Sequence, residues 1–145
     1  MTGLEVDDVE HPQVANLGDF AEQVGLAFQL RDDVLGLYGD EDKLGKPIGS
    51  DVCQGKPTML YAEALERTTG GDRHFLADTL GRRDLAAADL ARVRELVSSC
   101  GAGDAIQARI DSGIAGAGQK LLQAPQSAAR DLLHAWAAYA GTRDR

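Results

Sequence analysis

A helical periodicity between residues 13 and 38 constrains the fold of this chain more than any other feature of its sequence. From about Gln13 the apolar side chains recur at spacings typical of one face of a helix and not of a strand. They are Val14, Leu17, Ala21, Val24, Phe28, Val34, Leu35 and Tyr38. The pattern predicts one long helix that ends near Gly39, a residue suited to a helix C-cap.

The remainder of the chain also favours helices. Alanine, leucine and charged residues dominate, whereas strand-favouring aromatic and β-branched residues are sparse. Further helices are predicted over 58–67, 72–80, 84–100, 104–121 and 127–140. Within them we expect Pro57 at a first helical position, Asp84 and Asp104 as N-caps, and Trp136 in the core. The prediction is an all-α fold of five to six helices, with a loose lead-in over 1–12 and one domain over 13–145.

A glycine-rich segment separates the first two predicted helices. It runs from Gly39 to Gly55, shows no periodicity, and includes or adjoins the lysines Lys43, Lys46 and Lys56. Loops of this length are usually functional or disordered. The glycines Gly113, Gly116 and Gly118 have a different setting, because they lie inside a predicted helix, where we expect them to permit close helix packing.

The chemistry-bearing residues cluster at the end of the long helix. Phe28, Asp32 and Gly36 share one helix face, and Gln29 pairs with Asp33 on the neighbouring face. Adjacent carboxylates on an otherwise apolar helix are costly to bury unless they bind a hard cation such as Mg²⁺, which is commonly shared with substrate phosphates.

Two downstream lysines fit such a site. Lys46 and Lys56 could fold back and place ammonium groups on the same phosphates. Taken alone, Asp32 and Asp33 would be interpreted as a solvated acidic pair on an exposed helix face. Their spacing relative to Gln29, Lys46, Asp51 and Lys56 favours a metal–diphosphate site instead. The three histidines show no ligand spacing, and we expect them to be structural or exposed. Cys53 has no histidine or other base beside it in sequence, which disfavours a role as a nucleophile.

Charge and composition exclude several functional classes. The net charge of −8 disfavours binding to nucleic acid and to anionic membranes. No apolar run approaches the roughly 18 residues of a membrane span. Only two cysteines, Cys53 and Cys100, are present, which fits a reducing compartment, and no signal peptide is recognisable. A cytoplasmic location is therefore expected.

The combined motif resembles the second aspartate-rich region of the trans-isoprenyl diphosphate synthases, the polyprenyl synthetase family. The resemblance rests on F-Q-x-x-D-D from Phe28, G-K-P-x-G-x-D from Gly45, and G-K-x-T from Gly55. It extends from about Phe20 to the C-terminus and implies the C-terminal half of an all-helical isoprenoid-synthase bundle around an apolar cavity. The implied reaction condenses an allylic diphosphate with isopentenyl diphosphate.

The resemblance also implies roles for individual residues. Asp32 would be a magnesium ligand, and Asp33 would assist it directly or through water. Lys46 and Lys56 would bind the allylic diphosphate. Gln29 would contact substrate or orient the carboxylates, Phe28 would line the cavity, and Asp51 would hold metal-bound water or the loop lysines.

Two departures from the family pattern affect the expected activity. The fuller motif is D-D-x-x-D, but Gly36 stands at its fifth position, a form that resembles a familiar bacterial variant. The family's first aspartate-rich motif and its isopentenyl diphosphate-binding basic residues are not visible, and Asp7-Asp8 stands in the wrong place to replace that motif. We therefore expect the chain to be incomplete as an isolated catalyst.

Three functional hypotheses remain open from the sequence. The first is a prenyltransferase that acts as a homo- or hetero-oligomer, with a complementary amino-terminal half or a full-length synthase as partner. The second is a truncated or regulatory subunit that binds a full-length synthase without catalysis. The third is a stand-alone module that binds magnesium and diphosphate.

Overall fold

The computed structural model describes residues 12–39 and 47–143. The regular secondary structure in this part of the chain is helical, without strands. Its seven helices are α1 (Pro12–Tyr38), α2 (Ser50–Cys53), α3 (Met59–Arg67), α4 (Gly70–Thr79), α5 (Ala87–Ser99), α6 (Ala102–Leu121) and α7 (Ala128–Thr142). The all-α prediction is confirmed, and the helix beyond the expected six is the single turn α2. No helix in these ranges has the length and apolar character needed to cross a membrane.

Helices α1 and α6 form the principal packing pair of the fold. Small residues on α6 face α1 where the two helices meet. A Cβ atom placed on Gly116 would lie 2.3 Å from Gln23 Oε1, at the flexible end of a side chain, and one on Gly113 would lie at an ordinary contact distance of 3.5 Å from the Gln23 carbonyl oxygen. These two glycines therefore lie in a helix–helix contact, where their spacing placed them.

Two apolar clusters follow one another along this pair. The larger cluster joins α1 to α3, α5 and α6 through buried residues that include Leu30, Leu60, Val93 and Ile106. The smaller cluster joins α1, α6 and α7 and consists of Phe20, Val24, Ala117, Leu121, Ala137 and Ala140. The larger cluster packs against the carboxyl-terminal half of α1 and the smaller one against its middle, so the larger cluster holds the end of α1 in place.

The prediction that Trp136 belongs to the core is wrong. Its side chain is 46% exposed, and its ring meets Phe20 only at the edge of the smaller cluster, with centroids 6.2 Å apart. The reason is that α7 approaches α6 through small residues: a Cβ atom on Gly141 would lie 2.9 Å from Ile114 Cγ1. A face this close leaves no space for an indole ring.

Three predicted helix starts are also wrong. Pro57 is not the first helical residue of α3, because Thr58 is the N-cap and its hydroxyl accepts a hydrogen bond from the backbone N–H of Tyr61 at 3.2 Å. Asp84 lies before α5, which starts only at Ala87.

The start of α6 follows from backbone geometry instead of side-chain capping. Gly101, at φ +75°, is its N-cap, and Asp104 lies in the first turn, where a negative charge favours the helix dipole. A left-handed glycine lets the chain reverse directly after α5, and no side-chain hydrogen bond caps the start of α6.

The predicted loop over 39–55 is partly helical, which corrects the prediction. Gly49 adopts φ +77° and precedes α2, and its N–H donates to the carbonyl oxygen of Gly36 at 2.9 Å. The chain therefore returns to the end of α1 and turns there. Lys43 and Lys46 lie outside the described residues.

Candidate functional site

Asp33 is a carboxylate buried at the junction of α1 and the turn that precedes α3. Its side chain is 3% exposed. Oδ1 accepts a hydrogen bond from the Lys56 ammonium group at 3.3 Å, and Oδ2 accepts one from the backbone N–H of Met59 at 3.3 Å. Helix α1 thus supplies the acid, the turn between α2 and α3 supplies the Lys56 ammonium group, and the first residue of α3 supplies the Met59 N–H.

Lys56 bridges two acids from different elements. Its Nζ donates to Asp33 and also to Asp51 Oδ2 on α2, at 3.3 Å in each case. The Lys56 side chain is 45% exposed, whereas that of Asp51 is 14% exposed. One ammonium group is therefore fixed by two carboxylates and remains open to solvent on its other side.

Burial and pairing shift the pKa values of this cluster. Burial raises the pKa of Asp33 above the ordinary carboxyl value, although Lys56 and the Met59 N–H act against this. For Lys56, partial burial disfavours the charged form, but the hydrogen bonds and charges of Asp51 and Asp33 outweigh it and raise the pKa. Lys56 is therefore a firmly charged donor.

The cluster encloses only a small hollow. Its volume is about 10 Å³, and Asp33, Gly36, Asp51 and Lys56 are among its lining residues. Such a space holds about one water molecule. A ligand would therefore have to meet the exposed side of Lys56 and not enter between the acids.

Asp32 lies in a separate environment from Asp33. Its side chain is 47% exposed and forms an ion pair with Arg143, which follows α7. The Arg143 guanidinium also stacks on Phe28, 3.7 Å from the ring centroid. The adjacent acids that the sequence grouped together thus have different partners.

Gln29 and Lys46 complete the predicted site. Gln29 is exposed on α1. Lys46 falls outside the described residues. The structure therefore brings together Asp33, Asp51 and Lys56 of the predicted set, and it places Phe28 beside Asp32 on the Arg143 side.

Gly36 stands where the fuller family motif has a third carboxylate. Its carbonyl oxygen accepts the N–H of Gly49, and the residue itself is buried. The returning backbone therefore covers this position. A glycine here fits the close approach of the two chain segments.

An open groove adjoins the acidic cluster. It has a volume of about 660 Å³ and runs between α1 and α6, with Leu26, Leu30, Met59, Arg109 and Gly113 among its lining residues. Met59 links the two features, because its N–H binds Asp33 and its side chain, 44% exposed, lines the groove. Arg109 is paired with Glu63 at 2.9 Å.

Sequence reasoning missed Arg143 and the groove. Arg143 lay in a polar tail without periodicity, and no local spacing linked it to Asp32, which is 111 positions away. The groove is formed by side chains of three helices. The exposure of Leu26 and Met59, which marks the groove, is a property of the folded chain and has no signal in the local sequence.

The described helices have the isoprenoid-synthase fold, the all-helical architecture of solved synthases that superpose on this chain. The chain belongs to the polyprenyl synthetase family, whose pattern matches residues 2–97. This confirms the family predicted from the sequence.

Individual relatives support the family assignment. The geranylgeranyl diphosphate synthase of Saccharolobus solfataricus is 40% identical over 91 residues, which are 63% of this chain and 26% of that protein. Heptaprenyl diphosphate synthase component 2 of Geobacillus stearothermophilus is 36% identical over 138 residues, which are 92% of this chain and 40% of that protein.

A solved structure extends the likeness to the fold. Geranylgeranyl pyrophosphate synthase of Corynebacterium glutamicum, complexed with isoprenyl diphosphate and magnesium, superposes with a TM-score of 0.83 at 30% identity. The match covers 90% of this chain and 38% of that one. The chain thus spans two fifths or less of the length of these three relatives.

The described residues fit one part of a magnesium site. No group of three or more acidic, histidine or cysteine side chains that could hold an ion occurs among them. Mg²⁺ needs fewer protein ligands, because it keeps several waters and takes phosphate oxygens from a substrate. The half-exposed carboxylate of Asp32 suits that role, whereas Asp33 is occupied by two donors.

Proposed function

We propose that this chain supplies the diphosphate-binding side of a prenyltransferase that condenses an allylic diphosphate with isopentenyl diphosphate. The observation that carries the proposal is Lys56, an ammonium group held by Asp33 and Asp51 with its open side toward solvent. A cation fixed in advance binds an anionic group without the cost of ordering it later.

Each of the other site residues has a part in this proposal. Asp33 and Asp51 keep the Lys56 ammonium in position. Asp32 supplies an oxygen ligand for Mg²⁺, and Lys46 adds a second ammonium group. When bound, magnesium would neutralise the negative charge that develops on a departing diphosphate.

The groove between α1 and α6 offers a wall for the prenyl chain. Leu26 and Leu30 give it apolar side chains, and its link to the acidic cluster through Met59 would place the diphosphate at one end. Apolar surface next to the reacting carbon also excludes water, which would otherwise capture a carbocation.

A partner completes the site in this proposal. The groove is open to solvent, and Leu26 on its wall is 56% exposed. Exposed apolar surface beside a binding site is typical of an interface. We infer that the amino-terminal half of a synthase, on the same or another polypeptide, covers this groove and carries the first aspartate-rich motif.

Calorimetry with pyrophosphate and Mg²⁺ tests the diphosphate site. The chain should bind pyrophosphate, and Lys56→Gln should weaken binding by about tenfold, because a charge-assisted hydrogen bond contributes about 1.5 kcal/mol or more. Lys120→Gln is the matched control, since Lys120 is paired with Asp19 at 2.6 Å, away from the site. Equal affinities for all three proteins would refute the assignment of Lys56.

A reconstitution assay separates catalysis from regulation. The 145-residue chain alone should form no product from the two diphosphates, and product should appear on mixing with an amino-terminal half from a relative. Lys56→Gln should abolish that product. If this variant instead leaves turnover intact, or if the chain merely alters the product length of a full-length synthase, the regulatory alternative is favoured.

A further inference from the structure

Arg143 is held in place beside the Asp32 carboxylate by contacts of both its side chain and its backbone. Its guanidinium pairs with Asp32 and stacks on Phe28 at 3.7 Å. Its backbone N–H donates to the Tyr139 carbonyl oxygen at 2.9 Å, and its own carbonyl oxygen accepts Nε of Arg31 at 2.8 Å. With a side chain only 10% exposed, it differs from an ordinary surface arginine.

The contacts with Phe28, Arg31 and Asp32 come from one face of α1. Phe28 and Asp32 are one helical turn apart, so a planar guanidinium can lie on the ring and reach the carboxylate together. Arg31, on the same helix face, donates a hydrogen bond to the backbone carbonyl oxygen of Arg143. The end of α7 is thereby tied to the part of α1 that carries the aspartate pair.

We propose that Arg143 is a built-in counter-ion of Asp32 that a divalent cation must displace. This inference rests on the proposed function, in which Asp32 is a metal ligand. A guanidinium and a metal ion compete for the same carboxylate oxygens, and two cations at one carboxylate repel each other. Arg143 neutralises and orients Asp32 when the metal is absent, and its withdrawal accompanies metal binding.

This arrangement makes the affinity for metal lower than Asp32 alone would give. Breaking a partly exposed ion pair costs up to about 1 kcal/mol, which corresponds to a factor of roughly five in affinity. A purely structural role for Arg143 predicts the opposite sign, since its loss would loosen Asp32 and weaken metal binding.

Manganese binding to the full chain, measured by electron paramagnetic resonance, tests the inference with Mn²⁺ as the probe. Arg143→Gln should bind Mn²⁺ about fivefold more tightly than the wild type. Arg143→Lys should fall between them, because lysine keeps the charge and loses the planar stacking. Asp32→Asn should remove the binding.

Arg92→Gln is the matched control for these variants. Arg92 has the same two kinds of partner elsewhere in the fold, since it stacks on Phe75 at 4.2 Å and pairs with Asp72 at 3.3 Å. Its loss should leave the affinity for Mn²⁺ unchanged.

The outcomes separate the two levels of the proposal. If Arg143→Gln leaves the affinity unchanged or lowers it while Asp32→Asn abolishes binding, the displacement is refuted and the metal site stands. If Asp32→Asn binds Mn²⁺ as the wild type does, or if no protein binds it, the metal role of Asp32 fails and the displacement with it.

Discussion

The ammonium group of Lys56 lies 3.3 Å from the buried carboxylate of Asp33, across 23 positions of sequence. The contact joins the end of the longest helix to the turn between α2 and α3. A second bond from Lys56 to Asp51 adds α2 to the same cluster. Site geometry and local stability are therefore coupled, and both can be tested.

Removing the Lys56 charge should destabilise the fold. Lys56→Met leaves the Asp33 carboxylate buried without its cation, so the free energy of unfolding should fall by about 1–3 kcal/mol. Urea denaturation at pH 7 measures this change. Lys120→Met, which removes an exposed pair with Asp19, should change it by less than about 1 kcal/mol. Equal losses in both variants would contradict the coupling.

Replacing the buried acid by its neutral analogue should have a pH-dependent effect. Burial raises the pKa of Asp33, so the folded state holds this proton more firmly than the unfolded state. The contribution of Asp33 to the free energy of unfolding is therefore complete below the ordinary carboxyl pKa of 3.8. This contribution is lost as pH rises through the raised pKa of Asp33 in the folded state.

Asp33→Asn removes this dependence. The asparagine oxygen can still accept a hydrogen bond from the Met59 N–H. Because the wild type loses stability as pH rises and the variant does not, the free energy of unfolding of Asp33→Asn should exceed that of the wild type by about 1 kcal/mol at neutral pH. Denaturation curves between pH 4 and 8 give the difference. A difference that stays constant over this range would show that burial does not raise the pKa of Asp33.

The turn at Gly49 should not tolerate a side chain. Gly49 has φ +77°, and a Cβ atom there would lie 2.5 Å from Leu90 Cδ1. Gly49→Ala should therefore lower the free energy of unfolding by about 2 kcal/mol or more. Gly70 has φ +57° with no atom within 4 Å of the added carbon, so Gly70→Ala should cost about 1 kcal/mol. If the two losses are equal, the Leu90 contact is unimportant.

Two glycines at helix contacts should differ in their tolerance of alanine. At Gly116 the obstacle is the end of the flexible Gln23 side chain, at 2.3 Å, whereas at Gly141 it is the branched Ile114, at 2.9 Å. Gly116→Ala should cost less than about 1 kcal/mol, because Gln23 can turn aside and alanine favours helix. Gly141→Ala should cost about 1–3 kcal/mol, and a reversed order of melting temperatures would contradict this.

The sequence by itself determined the helical class, the extent of the first helix and the family. Apolar spacing is a local property, and it repeats for long enough between residues 13 and 38 to outweigh competing patterns. The motif from Phe28 to Thr58 was equally readable, because its residues are close in sequence. The role of Gly113 and Gly116 in packing followed from the same periodicity.

Only the tertiary structure decided how the site residues are partnered. Asp32 and Asp33 are neighbours in sequence, yet one pairs with Arg143 and the other with Lys56. Helix geometry turns successive side chains by about 100°, so adjacent acids face different elements, and the identity of those elements depends on how distant segments pack. The exposure of Trp136 had the same origin, since the closeness of α7 to α6 is a property of the assembled helices.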